Sequence, residues 1–382
     1  MRTFYEFFAG GGMARMGLGP NWKCTFANDW DSKKVASYIT NWGNSDITDK
    51  DIRQISSSDL PNQADLVWSS FPCQDLSLAG KGKGLKGERS GVFWSFWSLM
   101  EELQKEGRKP KILVIENVVG LLTSNKGQDF GAVCDILSKG GYRFGAVVIN
   151  ADLFVPQSRP RLFVIAVDES LDIPTELTWL GAVDAWHPKA LKKAYYNLAP
   201  SVAQKWIWWL FPVPPPRNIH FIDILENDPQ DVDWHTPSQT EKLIAMMSEV
   251  NLEKIKRGMG RKERVVGGVY KRTRTNEHGK RVQRAEVRFD NVAGCLRTPG
   301  GGSSRQIIML LEDNKIRSRL LSAREGARLM GLPDSYILPD KYNEAYHLVG
   351  DGVVVPVVSY LNEQLFEPIL AGVKKQVAAT HE

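Results

Sequence analysis

The chain is poor in cysteine, and what it has is scattered. Cys24, Cys73, Cys134 and Cys295 are the only four in 382 residues, with no metal-ligand spacing, so a metal site and a disulfide scaffold are both excluded as organising principles. No apolar run has the length a membrane helix needs. Residues Met1 to Glu6 carry an early acid and no small-residue cleavage site, so no secretory leader is expected. No internal repeat is present, and no GxGxxG dinucleotide signature. What remains is an ordinary globular composition, 42% hydrophobic and 24% charged. It fits a cytoplasmic protein, off the membrane, with room for two domains.

Charge is uneven although its sum is only +5. Lys254 to Arg288 holds 13 Lys or Arg against three Glu, a local +10 that leaves −5 for the rest. That segment is either a polyanion surface or a solvated basic loop.

The first part alternates strand-like and helix-like patterns, as a parallel sheet with helices on its faces does. Expected strands are Thr3–Phe8, Lys23–Ala27, Asp65–Ser70, Ile112–Ile115, Phe144–Ile149 and Leu162–Val167. Expected helices are Met13–Gly17, Lys33–Asn41, Val92–Glu106 and Phe130–Lys139. From about Leu171 to Ile308 the alternation stops, tryptophans cluster, and Pro212 to Pro216 reads as a stiff connector. Helix character returns at Ser322, where Ser-x-x-Glu makes a capping box. Val353–Leu361 is an apolar strand or helix able to close back on the first domain. The expected division is 1–170, 171–310 and 311–382.

Candidate ligand residues gather at strand ends, where such sheets bind. Phe8-Ala9-Gly10-Gly11-Gly12 is a glycine turn, serving a nucleotide-like ligand or only tight packing. Asp29 can accept ribose hydroxyls, and Trp30 can stack on adenine or fill the core. Asp46 and Ile47 can read the adenine edge, or Asp46 can cap a helix. The compact glycine triplet leaves little room for a pyrophosphate.

Three further strand ends carry reactive chemistry: Pro72-Cys73-Gln74, Glu116-Asn117-Val118 and Gln157-Ser158-Arg159-Pro160-Arg161. A lone cysteine there is ordinarily a small buried hydrophobe. All three, in this order behind the glycine turn, resemble the DNA (cytosine-5)-methyltransferase family over nearly the whole chain. The resemblance implies a Rossmann-like α/β methyltransferase sheet with a smaller target-recognition domain. It also implies S-adenosylmethionine as cofactor, held by Phe8, Gly10, Gly12, Asp29, Trp30, Asp46, Ile47 and Pro72.

The implied reaction is attack of the Cys73 thiolate on carbon 6 of a flipped cytosine, which makes carbon 5 nucleophilic. Glu116 then meets ring N3, and Arg161 stabilises charge at O2. Asn117 steadies the loop, and Arg159, beside Gln157, holds phosphate or a neighbouring loop. The glycine- and lysine-rich run from Ser77 through Lys81 and Lys83 to Arg89 resembles the family's DNA-closing loop. Gly300 to Arg305 reads as a backbone-hugging loop, with Arg305 toward DNA. Arg319 to Pro333 resembles the family's ninth motif, whose Arg and Glu are expected to be internal ties.

One motif departs. Where the family has Gly-Asn-Ala-Val, this chain reads Gly350-Asp351-Gly352-Val353, and a carboxylate at Asp351 would favour the cofactor's cationic groups. The implied partners are double-stranded DNA and, functionally rather than physically, a cognate restriction endonuclease, with the protein a monomer. The competing readings are an RNA cytosine-5 methyltransferase and a catalytically silent DNA-binding regulator.

Overall fold

A computed structural model describes residues 1–71, 91–275, 279–297 and 305–372. They form two units. The first takes Met1–Asn150, Pro160–Pro214 and the chain from Val353 onward; the second takes Ala151–Arg159 and Pro215–Gly352.

Near-continuous apolar runs, the mark of strands buried on both faces, build the first unit's sheet. Its strands are β1 (Arg2–Phe7), β2 (Trp22–Asn28), β3 (Ile47–Thr48), β4 (Leu66–Ser69), β5 (Ile112–Val118), β6 (Tyr142–Asn150) and β7 (Pro160–Asp168). Their order is β3-β2-β1-β4-β5-β7-β6. All neighbours among β1 to β5 pair in parallel. The parallel sheet expected from the alternation carries one reversed strand: β7 runs antiparallel to both β5 and β6. The order reverses between β1 and β4, which places a crevice at the carboxyl ends of those strands.

Helices α1 (Met13–Leu18), α2 (Ser32–Trp42), α3 (Gly91–Lys105) and α4 (Gln128–Lys139) match the expected spans to within two residues. Asp31 starts α2 by accepting the Lys33 amide. Phe93, Phe96 and Trp97 of α3 pack with Tyr5, Phe7, Val67 and Leu113 of the sheet.

Of the tryptophans expected in the second domain, Trp179, Trp186, Trp206, Trp208 and Trp209 belong to the first, and Trp234 to the second. Two short strands, β8 (Thr178–Trp179) and β9 (Trp208–Trp209), pair with each other, and α5 (Lys189–Tyr196) and α6 (Pro200–Ala203) lie between them. The segment before β9 covers the edge strand β6: Phe144 donates to Lys205 O at 3.0 Å, and Ile207 donates to Phe144 O at 2.7 Å. The boundary expected at 171 therefore falls inside the proline run, between Pro214 and Pro215.

The second unit is built on an antiparallel sheet that the loss of alternation concealed. Behind α7 (Pro237–Ala245) and α8 (Glu249–Met259) come β10 (Val265–Thr275), β11 (Arg281–Arg288), β12 (Ile307–Glu312) and β13 (Lys315–Leu320), in the order β11-β10-β12-β13. Leu243 and Ile255 of the helices pack on Val269, Val287, Ile307 and Met309 of the strands. The basic segment is thus a helix end and a hairpin rather than a loop.

The helix α9 (Ala323–Leu329) begins with the expected Ser322–Glu325 capping box. Glu325 also receives Arg319 through two bonds of 2.6 and 2.7 Å, both side chains being buried. A boundary at 311 would cut this sheet within β12, whereas the unit runs on through α10 (Tyr342–Asp351). Then α11 (Val355–Leu361) returns to the first unit, where Ser359 Oγ donates to Gly17 O at 2.9 Å.

Gly145 in β6 lies so close to the covering segment that a Cβ would stand 1.9 Å from Ile207 O. Gly145→Ala is expected to destabilise the protein by on the order of 3 kcal/mol, because backbone rather than a side chain must yield; urea unfolding of the two proteins measures it.

Candidate active site

In the first unit the expected residues collect at one edge of the sheet. Glycine, acid and tryptophan follow β1 and β2, and Asp46 and Ile47 lie at the start of β3. Phe71 follows β4, and Glu116 lies near the end of β5. Because β7 is antiparallel, Arg161 at its start arrives at the edge where β5 ends, and pairs in register with Val118.

The glycine turn is held from behind. Phe8 and Gly10 adopt left-handed backbone, at φ 58° and 55°, and Gly10 donates its amide to Asp29 Oδ2 at 2.9 Å. Asp29 Oδ1 accepts the Asp31 amide at 2.9 Å, so this buried carboxylate braces the turn from the next strand. Burial raises its pKa, and Lys34 and the two amide bonds counter that. A Cβ on Gly10 would meet nothing within 4 Å: there is open space on that side of the turn. Trp30 is 71% exposed, so it is not core. Asp46 pairs with Arg15 at 2.7 Å and keeps a second oxygen, Oδ1, buried with no hydrogen-bond partner among the described residues. An open glycine, an exposed indole and a carboxylate short of a donor suit an adenosine-bearing ligand.

At the other end of the edge, Arg161 Nε lies 3.2 Å from Glu116 Oε1, both largely buried. Asn117 accepts the Val118 amide and donates to Phe71 O at 3.2 Å, two residues before Cys73. Pro72, Cys73, Ser77, Lys81, Lys83 and Arg89 lie outside the described residues, as does the 298–304 loop.

Gln157 and Arg159 are placed elsewhere. Both are buried in the second unit, where Gln157 binds Leu329 O and the Leu296 amide. Arg159 donates to Leu296 O, Gly350 O and Gly352 O at 2.8 to 2.9 Å. Arg159 thus holds neighbouring backbone, one of the two roles expected for it. Asp351, exposed at the end of α10, sits between two of the carbonyls Arg159 holds. Arg305 stacks over Tyr342 at 5.5 Å and bonds Asn343.

Sequence reasoning missed Glu6, Arg15, Tyr38 and Trp42. The available signal was Glu6, an acid inside an otherwise apolar strand.

The sheet order, with antiparallel β7 set between β5 and β6, is that of the S-adenosylmethionine-dependent methyltransferase fold. Within that class, the sequence model for C-5 cytosine-specific DNA methylases matches residues 2–367, and the chain belongs to that family. It is a sequence-specific DNA (cytosine-5)-methyltransferase with S-adenosylmethionine as cofactor. It is similar to type II methyltransferase M.HhaI of Haemophilus parahaemolyticus, 26% identical over 361 residues, spanning 94% of this chain and 92% of that protein. Type II methyltransferase M.HpaII of Haemophilus parainfluenzae is 24% identical over 386 residues, spanning 96% and 90%. The crystal structure of the S. pombe Dnmt2 methyltransferase superposes with a TM-score of 0.58 at 18% identity, covering 94% of this chain and 97% of that one, a likeness of fold.

Behind the edge, burial lifts the pKa of Glu6 from 4.5 to about 8, against the opposing pull of Arg15. The folded protein therefore keeps a proton that the unfolded chain releases. The stability this gives is complete below 4.5 and is lost as pH rises through about 8. Glu6→Gln is expected to flatten that decline, with a relative gain of a few kcal/mol (roughly) above the folded pKa. Urea midpoints of both proteins at about pH 6 and about pH 8.5 measure it.

Proposed function

We propose that Cys73 is the nucleophile and that Glu116 and Arg161 hold the cytosine ring it attacks. The observation that carries this reading is the Glu116–Arg161 pair at 3.2 Å, on the edge where the strand leading to Cys73 ends. The thiolate adds to carbon 6 and the ring electrons move to carbon 5. Glu116 meets N3 and the Arg161 guanidinium faces O2, where negative charge develops. Asn117, through Phe71 O, steadies the backbone that delivers Cys73. S-adenosylmethionine, when bound, supplies an electrophilic methyl group. Phe8, Gly10, Gly12, Asp29, Trp30, Asp46, Ile47 and Pro72 hold it: the turn approaches its chain, Asp29 its ribose, Trp30 its adenine face and Asp46 the adenine amino group. Loss of the carbon 5 proton then expels the Cys73 thiolate. The geometry identifies no base for that proton.

Target contact falls to the β10–β11 hairpin. Arg272 stands directly opposite Arg284 in the register, and like charges so paired repel unless an anion joins them. Arg284 has no ion-pair partner among the described residues, whereas Arg272 and Arg274 share Glu286. Arg274, Arg284 and Lys254 line a cavity of about 620 Å³ together with Glu249 and Glu286, and Arg284 is the cation there left for backbone phosphate.

The type II names of the relatives support a restriction-modification role, with a cognate endonuclease as functional counterpart and the protein working as a cytoplasmic monomer. Among the described residues no helix is long and apolar enough to cross a membrane.

Two outcomes are expected. Expression in a host without cytosine methylation should place 5-methylcytosine in one short plasmid motif, and Cys73→Ala should abolish it; base-resolution mapping decides, and an unmodified plasmid with methylated RNA would favour the RNA reading. Replacing Arg272 and Arg284 together by Gln should weaken binding alike across DNA sequences and reduce the slope of log K against log salt by about 1 to 2. A salt titration by fluorescence anisotropy checks the second.

A further inference from the structure

A line of polar contacts runs behind the glycine turn of the first unit. Arg15 Nη1 donates to Tyr38 Oη and to Asp46 Oδ2, each at 2.7 Å. Its guanidinium lies over the Trp42 indole, 4.7 Å from the ring centre. Trp42 Nε1 donates to Gly11 O at 3.1 Å. The same indole fills the place of a side chain on Gly12, where a Cβ would stand 2.4 Å from Nε1. One arginine thereby connects the turn to Asp46, although the two are far apart in sequence.

Asp46 is the incomplete member of this line. One oxygen is on Arg15, the other is buried with no donor among the described residues, and only 9% of its side chain is exposed. A dry, unpaired acceptor is costly, so a buried carboxylate oxygen left open beside a turn with space next to it is a place for a donor to bind. The missing partner is a hydrogen-bond donor, and the cofactor's adenine carries one on its exocyclic nitrogen.

We propose that Arg15 is a positioning residue for cofactor selection: it fixes the Asp46 carboxylate in the orientation that accepts the adenine amino group. Through Trp42 it ties that orientation to the Gly11–Gly12 turn. This rests on the reading of Asp46 as the adenine acceptor. Removing Arg15 frees the carboxylate to rotate, so discrimination for the amino group falls while contacts to the sugar and the thioether stay.

The test compares two ligands on the full chain: S-adenosylhomocysteine, and its analogue with purine in place of adenine, which lacks the amino group. Wild type should prefer the amino-bearing ligand about tenfold, the value of one hydrogen bond to a charged group. Arg15→Met should reduce that preference to about twofold or less while binding the purine analogue as wild type does. Arg15→Lys, which keeps the charge but not the fork, should lie between. In turnover, KM for S-adenosylmethionine should rise in Arg15→Met with kcat little changed.

An Arg15→Met protein that keeps the preference, or loses both ligands alike, overturns the proposal; so does an Arg15→Lys protein that behaves as wild type, should the methionine variant not fold. Asp46→Ala separates the two ideas. If it keeps the preference, the adenine reading of Asp46 fails and takes the proposal with it. If it loses the preference while Arg15→Met keeps it, the role of Arg15 alone fails.

Discussion

The direction of β7 is the constraint on which the catalytic edge depends. A parallel strand between β5 and β6 would present its start at the opposite end of the sheet, and Arg161 would lie a strand's length from Glu116. Running antiparallel, β7 opens at the edge where β5 closes, and a guanidinium and a carboxylate meet at 3.2 Å. The connection from β6 makes this possible. The chain leaves the first unit at Asn150 and re-enters at Pro160, and these two residues face each other in the β6–β7 register. The excursion of nine residues between them belongs to the second unit, so a turn between neighbouring strands also carries the buried ties of another unit.

Burial then decides what each polar group can do. Asp29 engages both oxygens with backbone amides, which makes it a brace for the glycine turn. Glu6 is enclosed so fully that its pKa rises to about 8. Cys24, beside it, is lifted to about 12 by burial first and by Glu6 second. Neither group is poised for chemistry, and their part is to shape the wall behind the turn. A thiol so placed is the small buried hydrophobe that a lone cysteine ordinarily is.

The strands and helices of the first unit were legible because their signals are local. Apolar runs such as Leu113 to Ile115 and the glycine turn after β1 need no tertiary knowledge. The second unit was not legible in the same way. β10 begins Val265-Val266-Gly267-Gly268-Val269 and ends in alternating cations, so its buried half and its exposed half read as different segments. Its partner β12 lies more than 30 residues on, and the hairpin's own charge drew attention to solvent rather than to pairing. The tryptophans misled for a related reason: Trp206 and Trp208 pack with Tyr195 and with each other, a cluster whose placement on β6 rests on backbone bonds invisible in the sequence.

The two arginines of Gln157-Ser158-Arg159-Pro160-Arg161 show where pattern reading ends. Two residues apart, with the same side chain, they would share one face of any continuous strand. The strand, however, begins only at Pro160. Arg159 falls before it and is enclosed by the carbonyls of Leu296, Gly350 and Gly352, which take hydrogen bonds from both its Nη1 and Nη2. Arg161 falls inside it, at the border of a sheet edge with a carboxylate for a neighbour. Spacing named both residues and chemistry suited both. What separates them is the position of a unit boundary, set by which backbone amides find partners in the sheet, and that is a property of the folded chain as a whole rather than of any motif within it.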